Sequence, residues 1–108
     1  GKGSKMKVAS IIVVTADWEK AGQYALKVCE AVSEAQKVPL EVKKEDYDFL
    51  INHGEKDEFG GVDMPQIFFK LEDGAIKHIM TRIPLRKEDG HPDLEKGIKD
   101  ITEALAKQ

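Results

Sequence analysis

One short apolar run most constrains what this chain can fold into. Residues 8–14 read Val-Ala-Ser-Ile-Ile-Val-Val, which is almost continuously apolar and rich in β-branched side chains. Such a run is typical of a strand that is buried on both faces. A strand of this kind needs helices on either side of its sheet, so we expect an α/β fold.

The apolar pattern changes period after this strand. Apolar residues at spacings of three and four predict a helix over 18–36, with Thr15 or Asp17 expected to cap its first turn. Residues 40–43 predict a short strand. Residues 47–51 predict a short second helix that ends at Gly54.

The second half of the chain predicts a hairpin and a last helix. Residues 66–71 and 75–81 predict two strands joined at an Asp-Gly turn, with Ile76 and Met80 on one face and Ile79 on the other. Residues 83–90 predict a solvated loop of mixed charge. The last helix is expected to open at 91–93, with Pro92 in its first turn, and its predicted buried stripe is Leu94, Ile98, Ile101 and Leu105.

These elements predict one α/β domain in the order β-α-β-α-β-β-α. The first β-α-β unit is expected to be parallel and right-handed, and the hairpin must be antiparallel, so the prediction is a four-stranded mixed sheet in the order 2-1-3-4, flanked by helices. The length of 108 residues suits one domain. We interpret residues 1–5 as a tag or flexible linker and residues 6–108 as the domain, starting at Met6.

Composition argues against several classes of partner and cofactor. The chain has 17 basic and 20 acidic residues of mixed distribution, so neither nucleic acid nor a membrane is expected as a partner. No apolar run approaches the roughly 18 residues of a membrane span, and no signal peptide is visible, so a cytoplasmic location is expected. His53, His78 and His91 lack the paired spacing of a metal site, and no cofactor is expected.

Three stretches resemble the thioredoxin-like family. Residues 13–18, Val-Val-Thr-Ala-Asp-Trp, resemble its strand end and the Trp before the active-site turn. Residues 59–65, Phe-Gly-Gly-Val-Asp-Met-Pro, resemble its segment before a cis-proline, and residues 68–74 resemble its strand and Gly-bearing hairpin. The resemblance covers nearly the whole chain and implies a thioredoxin-like fold with a cis Met64–Pro65 bond.

The chain departs from the family at the active-site turn. Trp18 is followed by Glu-Lys-Ala-Gly where the family has Cys-x-x-Cys, so Glu19 and Gly22 occupy the two thiol positions. Thiol–disulfide exchange needs both thiols. Val13 stands at the family's buried acid, and Arg82 stands at its late glycine. The resemblance therefore implies a redox-inactive member without catalytic residues.

The resemblance also implies a role in binding. Relatives that lack the cysteines look like adaptor or chaperone-type modules, so the expected partner is a protein or extended peptide, bound by a monomer or weak dimer. The expected groove residues are Trp18, Glu19, Met64, Pro65, Gln66 and Arg82.

Alternative roles remain open at three of the residues considered. Trp18 is either a recognition aromatic or a brace for the turn. Glu19 is either a catalytic carboxylate or, as we favour, an acid that complements the helix dipole. Cys29 is either the thiol of a glutathione- or peroxide-linked enzyme or, as we favour, a structural residue in mid-helix. For the protein as a whole, a structural or dimerisation domain of a larger protein is a third role, beside the binding module and the thiol-dependent enzyme.

Overall fold

A computed structural model of the chain describes residues 7–108 and contains the predicted elements in the predicted order. The predicted tag at 1–5 and the start at Met6 lie outside the described residues. The elements are β1 (Val8–Thr15), α1 (Lys20–Gln36), β2 (Leu40–Lys44), α2 (Tyr47–His53), β3 (Gln66–Leu71), β4 (Ile76–Thr81) and α3 (Leu94–Ala106). Among these residues, no helix is long and apolar enough to cross a membrane.

The four strands form one mixed sheet in the predicted order β2-β1-β3-β4. β1 runs parallel to β2 and antiparallel to β3, and β4 is antiparallel to β3. Val14 is level with Lys43 and Gln66, and Gln66 is level with Thr81. The connections 16–19, 45–46, 54–65 and 82–93 therefore leave the sheet at one end, which we call the Thr15 end.

β1 supplies side chains to two hydrophobic cores. Ile11 and Val13 belong to the core with α1 and α3, while Ile12 and Val14 belong to the core with α2. The first core also holds the predicted stripe of α3, in which Ile101 is fully buried and Leu94, Ile98 and Leu105 are partly buried. This alternation follows from the two-residue period of a strand.

The expected faces of β4 are wrong at one position. The pairing of β3 with β4 shifts between Ile67 and Phe68. Because an irregularity of this kind reverses the alternation of side chains, Met80 joins Ile79 in the core with α1 and α3. Ile76 stays on the face covered by α2.

The helix α1 begins at Lys20, two residues later than predicted. Glu19 holds the N-cap position with an extended backbone and no side-chain cap. A turn in which the Glu19 N–H donates to the Ala16 carbonyl (3.2 Å) occupies the residues before the helix. The capping prediction is also wrong: the Thr15 hydroxyl has no hydrogen-bond partner among residues 7–108, and the Asp17 side chain points to β2.

The helix α3 begins at Leu94 rather than at residues 91–93. Asp93 is its N-cap, and the Asp93 Oδ1 accepts a hydrogen bond from the Lys96 N–H (3.0 Å). Pro92 lies before the cap, where it pairs with Leu85 in a short antiparallel bridge. The expected place of Pro92 in the first helical turn is therefore wrong.

Candidate functional site

The turn between β1 and α1 presents an aromatic side chain to solvent. Trp18 is 66% exposed. Its neighbour Asp17 forms an ion pair with Lys44 at the end of β2 (3.1 Å), which ties the turn to the sheet. A side chain this exposed does not brace the core, so Trp18 is available to a partner.

The segment before β3 lies beneath the surface. The Met64–Pro65 peptide bond is cis, as predicted, and the side chains of both residues are buried. The Pro65 carbonyl accepts a hydrogen bond from the Arg82 N–H (3.0 Å). The backbone N–H and C=O of Met64 make no hydrogen bond to any other of residues 7–108. The two backbone groups of Met64 are therefore not used by the described part of the chain.

Gln66 is fully buried and holds the loop before β3. Its Oε1 accepts from the Glu55 N–H (2.8 Å), and its Nε2 donates to the carbonyls of Glu55 (3.1 Å) and Asp63 (2.9 Å). The amide is therefore committed to the protein itself. Gln66 supports the predicted groove from below, and its side chain does not line the groove.

The Arg82 side chain lies between Glu19, at the start of α1, and Asp63, in the connection before β3. Its backbone is left-handed (φ 63°) directly after β4. Its guanidinium lies 3.7 Å from Glu19 Oε2 and 4.0 Å from Asp63 Oδ2. Both separations exceed a hydrogen bond, and Arg82 is about half exposed, so each pair stabilises by roughly 0–1 kcal/mol. The structure thus brings Trp18, Glu19, Met64, Pro65 and Arg82 to one end of the sheet.

Residues 84–93 form an ordered hairpin within the predicted loop, and residues 85–90 are exposed as predicted. The Arg86 N–H donates to the His91 carbonyl (2.7 Å), and the Asp93 N–H donates to the Pro84 carbonyl (2.8 Å). The Arg86 guanidinium donates twice to Asp89 (2.8 and 3.2 Å). The His91 N–H and the Arg86 guanidinium hold the pKa of Asp89 below its ordinary value. The hydrogen bonds from the Arg86 and Asp93 N–H groups join residues five and nine positions apart. Such pairing produces no periodic pattern in the sequence, so the sequence did not predict it.

An apolar cleft of about 470 Å³ lies between this hairpin and α1. Sequence reasoning missed this cleft, although the run Ile-Pro-Leu at 83–85 is an apolar signal inside a charged segment. Its polar members are the Tyr24 side chain, Thr81 and Arg82. The lining residues are Ala21, Tyr24, Thr81, Arg82, Ile83, Pro84, Leu85 and Pro92.

Among the described residues, three of the six exposed large apolar side chains lie in connections at the Thr15 end. Trp18, Phe59 (89% exposed) and Leu85 (61% exposed) come from three separate connections. The connection that carries Phe59 is ordered, because Asp57 Oδ1 accepts from the N–H groups of Phe59 (2.9 Å) and Gly61 (2.8 Å). Exposed apolar groups gathered on ordered backbone mark interaction surfaces.

Gly22, which the resemblance aligns with a second thiol, has no room for a side chain. A Cβ on Gly22 would overlap the Thr15 hydroxyl oxygen and lie 3.2 Å from Thr15 Cβ. Thr15 is buried beneath the first turn of α1. Glycine is therefore the residue that fits there.

This close approach predicts strong coupling between Gly22 and Thr15. We expect Gly22→Ala to lower the free energy of unfolding by about 1–2 kcal/mol, because overpacking outweighs the roughly 1 kcal/mol that alanine gains in a helix. In a Thr15→Ala background the same substitution should be neutral or stabilising. Urea unfolding of the four proteins measures the coupling. Additive effects would contradict the overlap.

Cys29 lies in the core rather than at the surface. It is 0% exposed, and burial, followed by the charge of Glu30, raises the pKa of its thiol to about 12. A reactive cysteine needs a lowered pKa and access to solvent. This burial counts against the thiol-dependent alternative.

Two of the three histidines, His53 and His78, pack against aromatic side chains. His78 packs edge-on against Phe68 (5.5 Å between ring centroids) and lies 2.9 Å from Thr81 Oγ1, while His53 lies against Phe49. Within residues 7–108, no group of three His, Cys, Asp or Glu side chains is arranged to hold a metal ion.

No family model, curated protein or solved structure matches this chain. The thioredoxin-like resemblance therefore remains an interpretation of the residues at 13–18, 59–65 and 68–74.

Proposed function

We propose that this chain is a redox-inactive thioredoxin-like domain that binds extended segments of other proteins at the Thr15 end of its sheet. The observation that carries the proposal is that Trp18, Phe59 and Leu85 are exposed on three connections at that end, where Leu85 also lines an apolar cleft. Tryptophan is enriched among the residues that dominate binding energies at protein interfaces. The proposed module acts as a monomer or weak dimer, in the cytoplasm.

The backbone of Met64 supports binding of an extended chain. Its N–H and C=O make no hydrogen bond to another described residue, and they lie directly before β3. Extended peptides gain affinity from main-chain hydrogen bonds and specificity from pockets for their side chains. The cleft beside Arg82 supplies such a pocket.

The residues at the thiol positions support binding without exchange chemistry. Glu19 supplies no thiol, and Thr15 leaves no room for a side chain at Gly22. Glu19 Oε1 is buried and has no hydrogen-bond partner among the described residues. The other oxygen of this carboxylate, Oε2, lies 3.7 Å from the Arg82 guanidinium.

A comparison of two aliphatic truncations tests this proposal. The probe is reduced, carboxymethylated α-lactalbumin, which is permanently unfolded. We expect Leu85→Ala to weaken binding about fivefold, because roughly 1 kcal/mol of apolar burial is lost. Ile51→Ala is the matched control, since Ile51 is a similarly exposed aliphatic residue (54%) on α2. Fluorescence anisotropy of the labelled probe gives the dissociation constants.

Amide spectra of the ¹⁵N-labelled protein locate the contact. Addition of the unfolded probe is expected to change the amide chemical shifts of Trp18, Phe59, Leu85 and Met64. Equal losses for Leu85→Ala and Ile51→Ala, or shifts confined to α2 and α3, would overturn the proposed surface. Sedimentation of the free protein at the same concentration shows whether a second copy already covers it.

A further inference from the structure

We infer that the extended segment bound at the Thr15 end pairs an apolar residue with a lysine or arginine two positions away. This inference rests on the proposed function and adds the chemical class of the partner. In this arrangement the apolar side chain enters the cleft beside the hairpin. The basic side chain enters a second cleft on the other side of Thr81 and Arg82.

The second cleft adjoins the first. It has a volume of about 230 Å³, and Thr81 lines both clefts. Arg82 lines the apolar cleft, and its Nε lies 4.0 Å from Asp63, which lines the second cleft. A chain that crosses Thr81 and Arg82 therefore meets both clefts. The residues that line the second cleft are Glu55, Lys56, Asp57, Gly61, Asp63 and Thr81.

The second cleft is acidic and has free acceptors. Three carboxylates face one ammonium group in its lining. Asp57 Oδ1 is used by the backbone of its own loop, but within residues 7–108 the carboxylates of Glu55 and Asp63 accept no hydrogen bond. Hydrogen bonds between charged groups are the strong ones, so an ammonium or guanidinium group complements this cleft.

Arg82 does not convert this surface into a site for anions. Its guanidinium already lies between Glu19 (3.7 Å) and Asp63 (4.0 Å), so the three groups together carry one negative charge. A ligand carboxylate approaching Arg82 would meet two carboxylates of the protein. A ligand cation would instead be attracted by the carboxylates of Asp63 and Glu55, although the nearby Arg82 guanidinium would repel it. Complementary charge selects partners and steers their approach.

We choose a spacing of two positions because the two clefts share Thr81 as a lining residue. Side chains at i and i+2 point to the same face, and they are about 6.6 Å apart along the strand. Probes are acetyl-Ser-Gly-Leu-Ser-Lys-Gly-Ser-amide and the same peptide with Leu and Lys exchanged, so that either chain direction is sampled. Each has a partner peptide in which Glu replaces Lys.

Amide titrations with these four peptides test the inference. We expect the better Lys peptide to bind at least about fivefold more tightly than its Glu partner, and we expect the difference to shrink as salt screens the charges. Shifts should include Thr81, Arg82 and Leu85 for the Leu side chain. They should include Glu55 and Asp63 for the Lys side chain.

Charge variants of the protein sharpen the test. Asp63→Asn should weaken binding of the Lys peptide about threefold, whereas Arg82→Gln should strengthen it by a similar factor. Glu103→Gln is the control, because Glu103 is an exposed acid on α3, away from both clefts. It should leave the affinity unchanged.

The possible outcomes distinguish failure of the basic partner from failure of peptide binding at the Thr15 end. If the Glu peptides bind as tightly as the Lys peptides, or if Arg82→Gln weakens binding of the Lys peptide, the basic partner is excluded while peptide binding stands. If none of the four peptides shifts any amide at the Thr15 end, both the inference and the proposed function fail.

Discussion

Cys29 in the native protein is expected to react with DTNB at least about 1,000-fold more slowly than in the unfolded chain. The thiolate is the attacking species. Burial raises the pKa of the thiol from an ordinary value of 9.0 to about 12, so about a thousandth as much thiolate forms near neutral pH. Its complete burial also keeps the reagent out. Absorbance traces with and without urea measure the ratio.

The raised pKa of the Cys29 thiol also makes the contribution of Cys29 to the free energy of unfolding depend on pH. The folded protein keeps its thiol proton between pH 9.0 and about 12, while the unfolded chain loses it. The contribution is therefore complete below pH 9.0 and falls by about 1.4 kcal/mol for each pH unit above it. We expect the free energy of unfolding of Cys29→Ala to fall less steeply in this window.

Two results would contradict the buried thiol. One is native labelling within about tenfold of the unfolded rate, which would return the thiol-dependent enzyme to consideration. The other is parallel pH profiles for Cys29→Ala and the unchanged protein. Lysine and tyrosine titrate in both proteins, so only the difference between the profiles reports on Cys29.

Gln66→Ala is expected to lower the free energy of unfolding by about 3 kcal/mol. The substitution removes three hydrogen bonds to the backbone of Glu55 and Asp63, and each is worth about 1 kcal/mol. It also leaves a cavity at a fully buried position. Urea unfolding measures the loss, and hydrogen exchange of the Glu55 amide reports the released loop.

Two further variants distinguish the loss of hydrogen bonds from the loss of buried volume as the cause of the destabilisation. Gln66→Leu keeps most of the buried volume but removes all three hydrogen bonds, so we expect it to lose at least about 2 kcal/mol. Gln66→Glu keeps an acceptor for the Glu55 N–H and loses both donated bonds. A loss below about 0.5 kcal/mol in Gln66→Leu, with unchanged exchange at Glu55, would show that the loop is held by other contacts.

Much of the fold follows from local patterns in the sequence. The strand at 66–71 and the end of α2 at Gly54 were predicted as they occur. Apolar period and turn chemistry act over a few residues, so they can be seen without the fold. The cis Met64–Pro65 bond was predicted from the resemblance, since only about 5–6% of X–Pro bonds in folded proteins are cis.

The candidate site was predictable only in part. Glu19 and Arg82, two of the predicted groove residues, lie 3.7 Å apart, whereas the Gln66 side chain is bonded to the loop before β3. The apolar cleft was missed because its walls are the hairpin at 84–93 and the side of α1. Those walls are far apart in sequence, and no periodic pattern connects them.

The sequence by itself determined the order of the elements, the buried stripes and the absence of paired thiols, because each depends on the identity and spacing of nearby residues. Only the tertiary structure decided which face Met80 takes, why Gly22 accepts no side chain and where Arg82 finds its two carboxylates. Those outcomes depend on strand register and on contacts between distant segments. Such contacts exist only once the sheet has assembled.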